Sequence, residues 1–270
     1  MNYRHAFHAG NFADLVKHAA LLQLLGRLAN GGPLTVIDTH AGRGLYDLTG
    51  AEARKSGEAE AGIARLMDAA APPPEFAGLV AAVRALNQGG PVRRYPGSPW
   101  LIAEALRAGD SYLACELRPD EHAALRDLMK PRGNVRTLCA DGYAAATAQA
   151  SGKVLVLIDP PFERADDYSR IVETLAQVRR RNRAAAALVW LPLKDLETFD
   201  GFLRDLEDEV HAPALVAQTR MRPLSDPMKM NGCALVLLGA PQRMAGALEA
   251  ICGWTAATLG ERGEARVYEV

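Results

Sequence analysis

The chain has 270 residues, 49% hydrophobic and 23% charged, with a formal net charge of -1 at pH 7. Such a composition fits an ordinary soluble chain of one large domain, or one with an inserted subdomain, and its near-neutral charge gives no global signature of a nucleic-acid binder. No apolar segment of signal length follows a basic start, and no aliphatic run approaches the ~20 residues of a membrane span, so a cytoplasmic protein without membrane attachment is expected. Cys115, Cys139, Cys233 and Cys252 are widely spaced, which argues against a zinc ribbon or a disulfide framework.

In chain order, an opening rich in histidine, asparagine and glycine precedes an amphipathic helix over residues 12–29, stopped by Asn30-Gly31-Gly32-Pro33. His5, His8, Asp14 and His18 could be metal ligands of a hydrolase. There is no H-E-x-x-H arrangement, however, and Lys17 would crowd a cation, so a helix cap with buried imidazoles, and no metal, is the better reading. Residues 34–38 form a first strand, left by the loop Thr39-His40-Ala41-Gly42-Arg43-Gly44. Two glycines let a backbone approach a ligand closely, but the incomplete G-x-G-x-x-G disfavours a dinucleotide site.

A regular α/β unit would give its second strand within about 30 residues. Here the next convincing strand is 111–116, and residues 47–95 read as a small helical insertion with helices over 58–70 and 75–86, split by Ala71-Pro72-Pro73-Pro74. The expected organisation is therefore 1–46 as cap segment, helix and first strand, 47–95 as insertion, and 96–270 as the remainder of the main domain. Ser98 is placed either to cap the next helix, with Pro99 in its first turn, or to touch a ligand. Glu116, ending the second strand, can accept both ribose hydroxyls of an adenosyl group or simply face solvent. A helix over 119–129 and a strand over 134–139 lead to Asp141-Gly142, where the carboxylate can cap a helix and accept an adenine amine.

Residues 154–158 are five apolar residues without alternation, a strand covered on both faces, followed by Asp159-Pro160-Pro161-Phe162. Prolines cannot donate to a ladder, so the chain leaves over the carboxyl edge of the sheet, where open α/β sheets bind ligands. A carboxylate, the Pro160 carbonyl and an aromatic ring suit a nucleobase with an exocyclic amine: the ring stacks and the two oxygens accept the amino protons. That pairing favours a tetrahedral nitrogen whose lone pair can meet an electrophile, with Asp159 accepting the departing proton. A helix over 166–182 and strands over 184–192, 215–220 and 233–238 follow, then a helix and a short polar tail. The irregular segment 221–232, with Pro223, Pro227, Lys229 and Asn231, either finishes a hairpin or holds the target base. Arg179, Arg180, Arg181 and Arg183 form a basic run that a helix C-terminus would equally favour.

Asp159-Pro160-Pro161-Phe162 resembles the Asp/Asn-Pro-Pro-Tyr/Phe motif of amino-group methyltransferases. The opening Met1-Asn2-Tyr3-Arg4-His5-Ala6-Phe7-His8-Ala9-Gly10-Asn11-Phe12-Ala13-Asp14-Leu15-Val16-Lys17-His18, with Asp38-Thr39-His40-Ala41-Gly42, Tyr95-Pro96-Gly97-Ser98-Pro99 and Asp141-Gly142 in the same order, resembles the RlmJ family of bacterial 23S ribosomal RNA adenine-N6 methyltransferases over essentially the whole chain. The resemblance implies a Rossmann-like seven-stranded fold, S-adenosylmethionine as cofactor, and a monomer acting on protein-free 23S ribosomal RNA or an early assembly precursor. It implies that the opening segment folds over the site, with Tyr3 touching RNA. His18, His40, Ser98, Glu116, Asp141, Gly142 and Asp159 would serve the cofactor, and Asp159, Pro160 and Phe162 the catalysis, with Lys17 nearby. Phe162 keeps the π-face of the family's frequent tyrosine and lacks its hydroxyl. The alternatives are a DNA adenine-N6 methyltransferase, for which no reader of groove edges is visible, and a non-catalytic cofactor-binding RNA module, against which the intact Asp159 motif argues.

Overall fold

The computed structural model describes residues 5–224 and 230–270. Helix α1 (Phe12–Leu28) leads to β1 (Thr35–Asp38) and the short β2 (Leu45–Asp47). Then come α2 (Ala51–Ser56), a π-helical turn (Glu60–Ala64) continuous with α3 (Arg65–Asp68), α4 (Ala77–Leu86) and β3 (Arg94–Pro96). From there α5 (Ser98–Ala105), β4 (Ser111–Cys115), α6 (Pro119–Met129), β5 (Val135–Leu138), α7 (Gly142–Gln149), β6 (Val154–Ile158) and α8 (Asp167–Arg181) alternate. The chain finishes with β7 (Ala186–Leu193), α9 (Leu196–Val210), β8 (Ala214–Arg220), β9 (Gly232–Leu238), α10 (Met244–Leu259) and β10 (Glu264–Glu269).

Eight strands form one sheet in the order β10-β8-β9-β7-β6-β1-β4-β5, while β2 and β3 pair separately. The strands from β5 to β7 run parallel, and β9, β8 and β10 are antiparallel additions. The expected count of seven is corrected to eight: the C-terminal tail is a strand, paired with β8 from Glu264↔Arg220 to Glu269↔Leu215. Its exposure alternates only weakly, which is why it reads as polar tail. Helix α9 is a further element, carrying Phe199, Phe202, Leu203, Leu206 and Val210 at helical spacing on its buried face.

Both faces of the sheet are covered, which explains the unbroken apolar run of β6. Leu155 and Leu157 belong to a core shared with α1, α5 and α10; Val154, Val156 and Ile158 belong to a second core built with α7, α8 and α9. Ile63, Leu66, Phe76, Leu79 and Val83, from the stretch between β2 and β3, join the first core against α1. That stretch holds three helices and a π turn where two helices were expected. The π turn follows from a close crossing: a Cβ on Gly62 would lie 2.2 Å from the Gly10 carbonyl oxygen, and Ile63 N–H donates to that oxygen at 2.9 Å.

The Arg179 run closes the far end of α8. Arg179 donates to the Ala185 carbonyl and Arg181 to the Ala148 carbonyl, both at the sheet edge opposite the ends of β1 and β6. These arginines cap a helix and its neighbours, away from the cleft.

Candidate active site

The carboxyl ends of β1, β4, β6 and β7 open into one cleft of about 540 Å³. Loops leaving β1, β4, β5 and β6 line it, together with residues of β7 and one face of α1. Helix α1 is buried over most of its length, and its buried polar residues Asp14, Lys17 and His18 fall at i, i+3 and i+4, hence on one face, which lines the cleft.

Lys17 joins the helix to the strand motif. Its ammonium lies 2.5 Å from Asp159 Oδ2 and 3.0 Å from Asp14 Oδ1, with 6% of its side chain exposed. Burial works against its charge, but the two carboxylates outweigh it and raise its pKa well above the ordinary lysine value. Asp14 is likewise opposed by burial, yet His5 and Lys17 hold it well below the usual carboxylate range. Asp14 Oδ2 also accepts the Gly10 N–H at 2.9 Å and contacts His5 Nε2 at 3.0 Å. His18 is fully enclosed, pushed down to about 3 by burial, and paired through Nδ1 with the Tyr95 hydroxyl at 2.8 Å. It is therefore a neutral imidazole at physiological pH.

At the end of β6, Asp159 and Pro160 line the cleft, and Phe162 adopts a left-handed φ of 51°. A non-glycine residue there costs free energy and is held only by its surroundings. The backbone turn sends the Phe162 ring against Tyr168 and Trp190, with centroids 5.0 and 5.8 Å away. At the end of β1, the Asp38 carboxylate accepts the Ser98 hydroxyl at 2.8 Å, the Tyr112 hydroxyl at 3.2 Å and the His40 N–H at 3.2 Å. Burial raises it to about 6. Ser98 thus does not cap α5: Gly97 is the N-cap, Ser98 is the first helical residue, and its hydroxyl is turned to Asp38.

His40 packs edge-on against Tyr143, and burial lowers it to about 4. Glu116 accepts the Gly42 N–H at 2.9 Å and the Arg118 N–H at 2.8 Å, and burial raises its pKa. Asp141 caps α7 by accepting the Tyr143 N–H, and its other oxygen meets Arg170. Gly142 is pressed onto the first loop, a Cβ there lying 2.1 Å from the Thr39 carbonyl oxygen. His18, His40, Ser98, Glu116, Asp141, Gly142, Asp159, Pro160 and Phe162 therefore all line one cleft. Tyr3 lies outside the described residues, as do Pro227 and Lys229. His8 and Asn11 of the opening segment both bond Glu58, at 2.9 Å, a cleft residue absent from the sequence reading. Among the described residues no group of three or more His, Cys, Asp or Glu is arranged to hold a metal ion.

The family described as ribosomal RNA large subunit methyltransferase D, RlmJ, matches residues 31–269. This chain belongs to the RlmJ family. Proteins named ribosomal RNA large subunit methyltransferase J from Haemophilus influenzae and Escherichia coli are 33% and 30% identical to it, each over 97% of this chain and 95% of their own. A crystal structure of a Legionella pneumophila protein superposes with a TM-score of 0.87 at 27% identity, covering 97% of this chain and 98% of that one. This RlmJ-family member is a ribosomal RNA large subunit methyltransferase, and its cofactor is S-adenosylmethionine. Its cleft fits that cofactor: the half-buried Glu116 carboxylate, just past the end of β4, lines it beside the close-approach glycines Gly42 and Gly142.

Proposed function

We propose that the protein methylates the exocyclic N6 amine of a specific adenine in 23S ribosomal RNA, with the base turned out of its stack. The observation that carries this reading is the convergence of the Asp159 carboxylate, Pro160 and the Phe162 ring on the same cleft as Glu116 and Asp141. S-adenosylmethionine, when bound, supplies an electrophilic methyl group for direct transfer.

Glu116 would accept the ribose hydroxyls of that cofactor and Asp141 its adenine amine, through lone pairs left over from their bonds to backbone N–H groups and, for Asp141, to Arg170. His18, His40, Ser98 and Gly142 shape the same half of the cleft. The target adenine lies on Phe162, its amine donating to Asp159 Oδ1 and to the Pro160 carbonyl. These two acceptors localise the nitrogen lone pair, and Asp159 takes up the departing proton. Lys17 holds Asp159 by Oδ2, so the carboxylate enters the reaction with its orientation already fixed. A base still paired in a helix offers its amine to another base, hence the need to extrude it.

The test is transfer of labelled methyl to protein-free large-subunit ribosomal RNA, with duplex DNA in parallel and the product nucleoside identified. N6-methyladenosine in RNA alone is expected, and Asp159→Ala should abolish it while leaving the circular dichroism spectrum unchanged. Label in another nucleoside, or an active Asp159→Ala variant, would overturn the assignment.

A further inference from the structure

Strand β7 outruns its parallel neighbour. Its ladder with β6 ends at Ile158↔Val189, whereas its pairing with β9 continues to Leu193↔Gly232. The overhang stands as a wall beyond Asp159. Strand alternation sorts its residues: Leu191 and Leu193 enter the core, while Trp190 and Pro192, and Lys194 just past the strand end, face the cleft. Trp190 lies against Phe162, and Met230 lines the same side. The inner part of this wall is therefore apolar and its outer end cationic.

The cation at that end differs from the others around the cleft. Lys17, Arg118, Arg164 and Arg170 are each paired with a carboxylate: Asp159, Asp120, Asp166 and Asp141 respectively. Lys194 is exposed and, among the described residues, has no carboxylate partner. The neighbouring Asp195 is committed to capping α9 through the Thr198 N–H and hydroxyl. The Lys194 backbone is also held: Asn231 donates its side-chain amide to the Lys194 carbonyl at 3.0 Å and its main-chain N–H to the Leu193 carbonyl at 2.9 Å.

Resting on the RNA reading above, we infer that Lys194 is a positioning residue that takes the phosphodiester of the extruded nucleotide while its base occupies the slot by Phe162, Trp190 and Pro192. Two residues of strand span about 7 Å, which places the Lys194 backbone about one base-to-phosphate distance beyond Pro192. A phosphate held there anchors the extruded nucleotide's backbone and adds affinity, without reading the base's identity.

The experiment compares wild type, Lys194→Ala, Lys194→Arg and the remote Lys130→Ala for binding of protein-free large-subunit ribosomal RNA against salt, and for methyl-transfer kinetics. Losing one phosphate contact should flatten the plot of log affinity against log salt by about 0.7 to 1 in slope. For Lys194→Ala, KM for RNA should rise roughly three- to tenfold, a range set by one partly exposed charged contact, with kcat little changed. Lys194→Arg should restore the slope and Lys130→Ala should match wild type. A Lys194→Ala enzyme with wild-type slope and KM, beside an active wild type, overturns this inference alone. A wild type inactive on RNA overturns the RNA reading and this inference with it.

Discussion

Lys17 and Asp159 form an ion pair at 2.5 Å, with 6% and 19% of their side chains exposed, so neither charge can be removed without consequence for the other. Replacing Lys17 by Met leaves two carboxylates, Asp14 and Asp159, short of their common cation. An uncompensated buried charge of this kind costs about 3 kcal/mol, and losing the group that orients a reacting carboxylate costs about a hundredfold in kcat. Urea unfolding and single-turnover transfer check both; a variant of unchanged stability and rate would show that Asp159 orients itself. Asp38 gives a pH prediction of opposite sign to that of most carboxylates. Its folded pKa of about 6 lies above the unfolded value of about 3.9, so the folded state binds the extra proton and stability falls as pH rises from about 4 to 6. The full cost above that window is on the order of 2 to 3 kcal/mol. Asp38→Asn removes the titration, so its urea midpoint relative to wild type should climb between pH 4 and 7, whatever constant offset follows from the His40 N–H bond. A flat difference would place the titration elsewhere. Asp159, Glu116 and Asp141 were legible because each follows a readable strand. Lys17 left only half a signal, a polar trio at 14, 17 and 18 in the buried first half of a helix, because the partner that gives it meaning lies 142 residues away.

Helix α7 meets the loop after β1 backbone to backbone, and this crossing sets the width of the cleft between them. A Cβ on Gly142 would sit 2.1 Å from the Thr39 carbonyl oxygen and 2.4 Å from the Thr39 Cα. Neither atom belongs to a side chain that can swing aside. Gly142→Ala must therefore push the helix off the loop that carries His40, at a cost of roughly 1 to 3 kcal/mol, and weaken S-adenosylmethionine binding by calorimetry. Gly133→Ala is the control, since nothing lies within 4 Å of its added carbon. Equal cofactor affinity in both variants would mean that the crossing does not shape the site. Crossings of this sort are also where sequence reading stops. The helices 12–28 and 119–129 and the strand 154–158 were legible because period and caps are local. The break of the 58–70 helix into a π turn was not, because it is imposed by Gly10 across the interface. Ser98 was legible as a helix start but not as a donor to Asp38, for the same reason.

The whole molecule is a parallel sheet that carries the chemistry at one edge and an antiparallel flank that lends it width. The flank begins with β9, whose ladder supports the β7 overhang, and ends with β10, which covers β8. Strand β8 is buried along nearly its full length, so it is built as an interior strand. Strand β10 contributes Ala265 and Val267 to the core against α10 and a 2.7 Å bond from the Gln218 amide to the Tyr268 hydroxyl. Its exposed residues are mainly charged, the usual protection of an edge against pairing with another chain. A chain ending at Gly263 would turn β8 into a long apolar edge. Such edges recruit strands from other copies, so the shortened chain should melt at lower temperature and sediment as concentration-dependent oligomers. The cleft lies across β1, β4, β6 and β7, none of which pairs with β10, so the fraction that stays folded should still bind S-adenosylmethionine. A shortened chain with the parent's melting temperature and sedimentation would make β10 dispensable; one that stays monodisperse but loses the cofactor would mean that the flank acts on the site through β7.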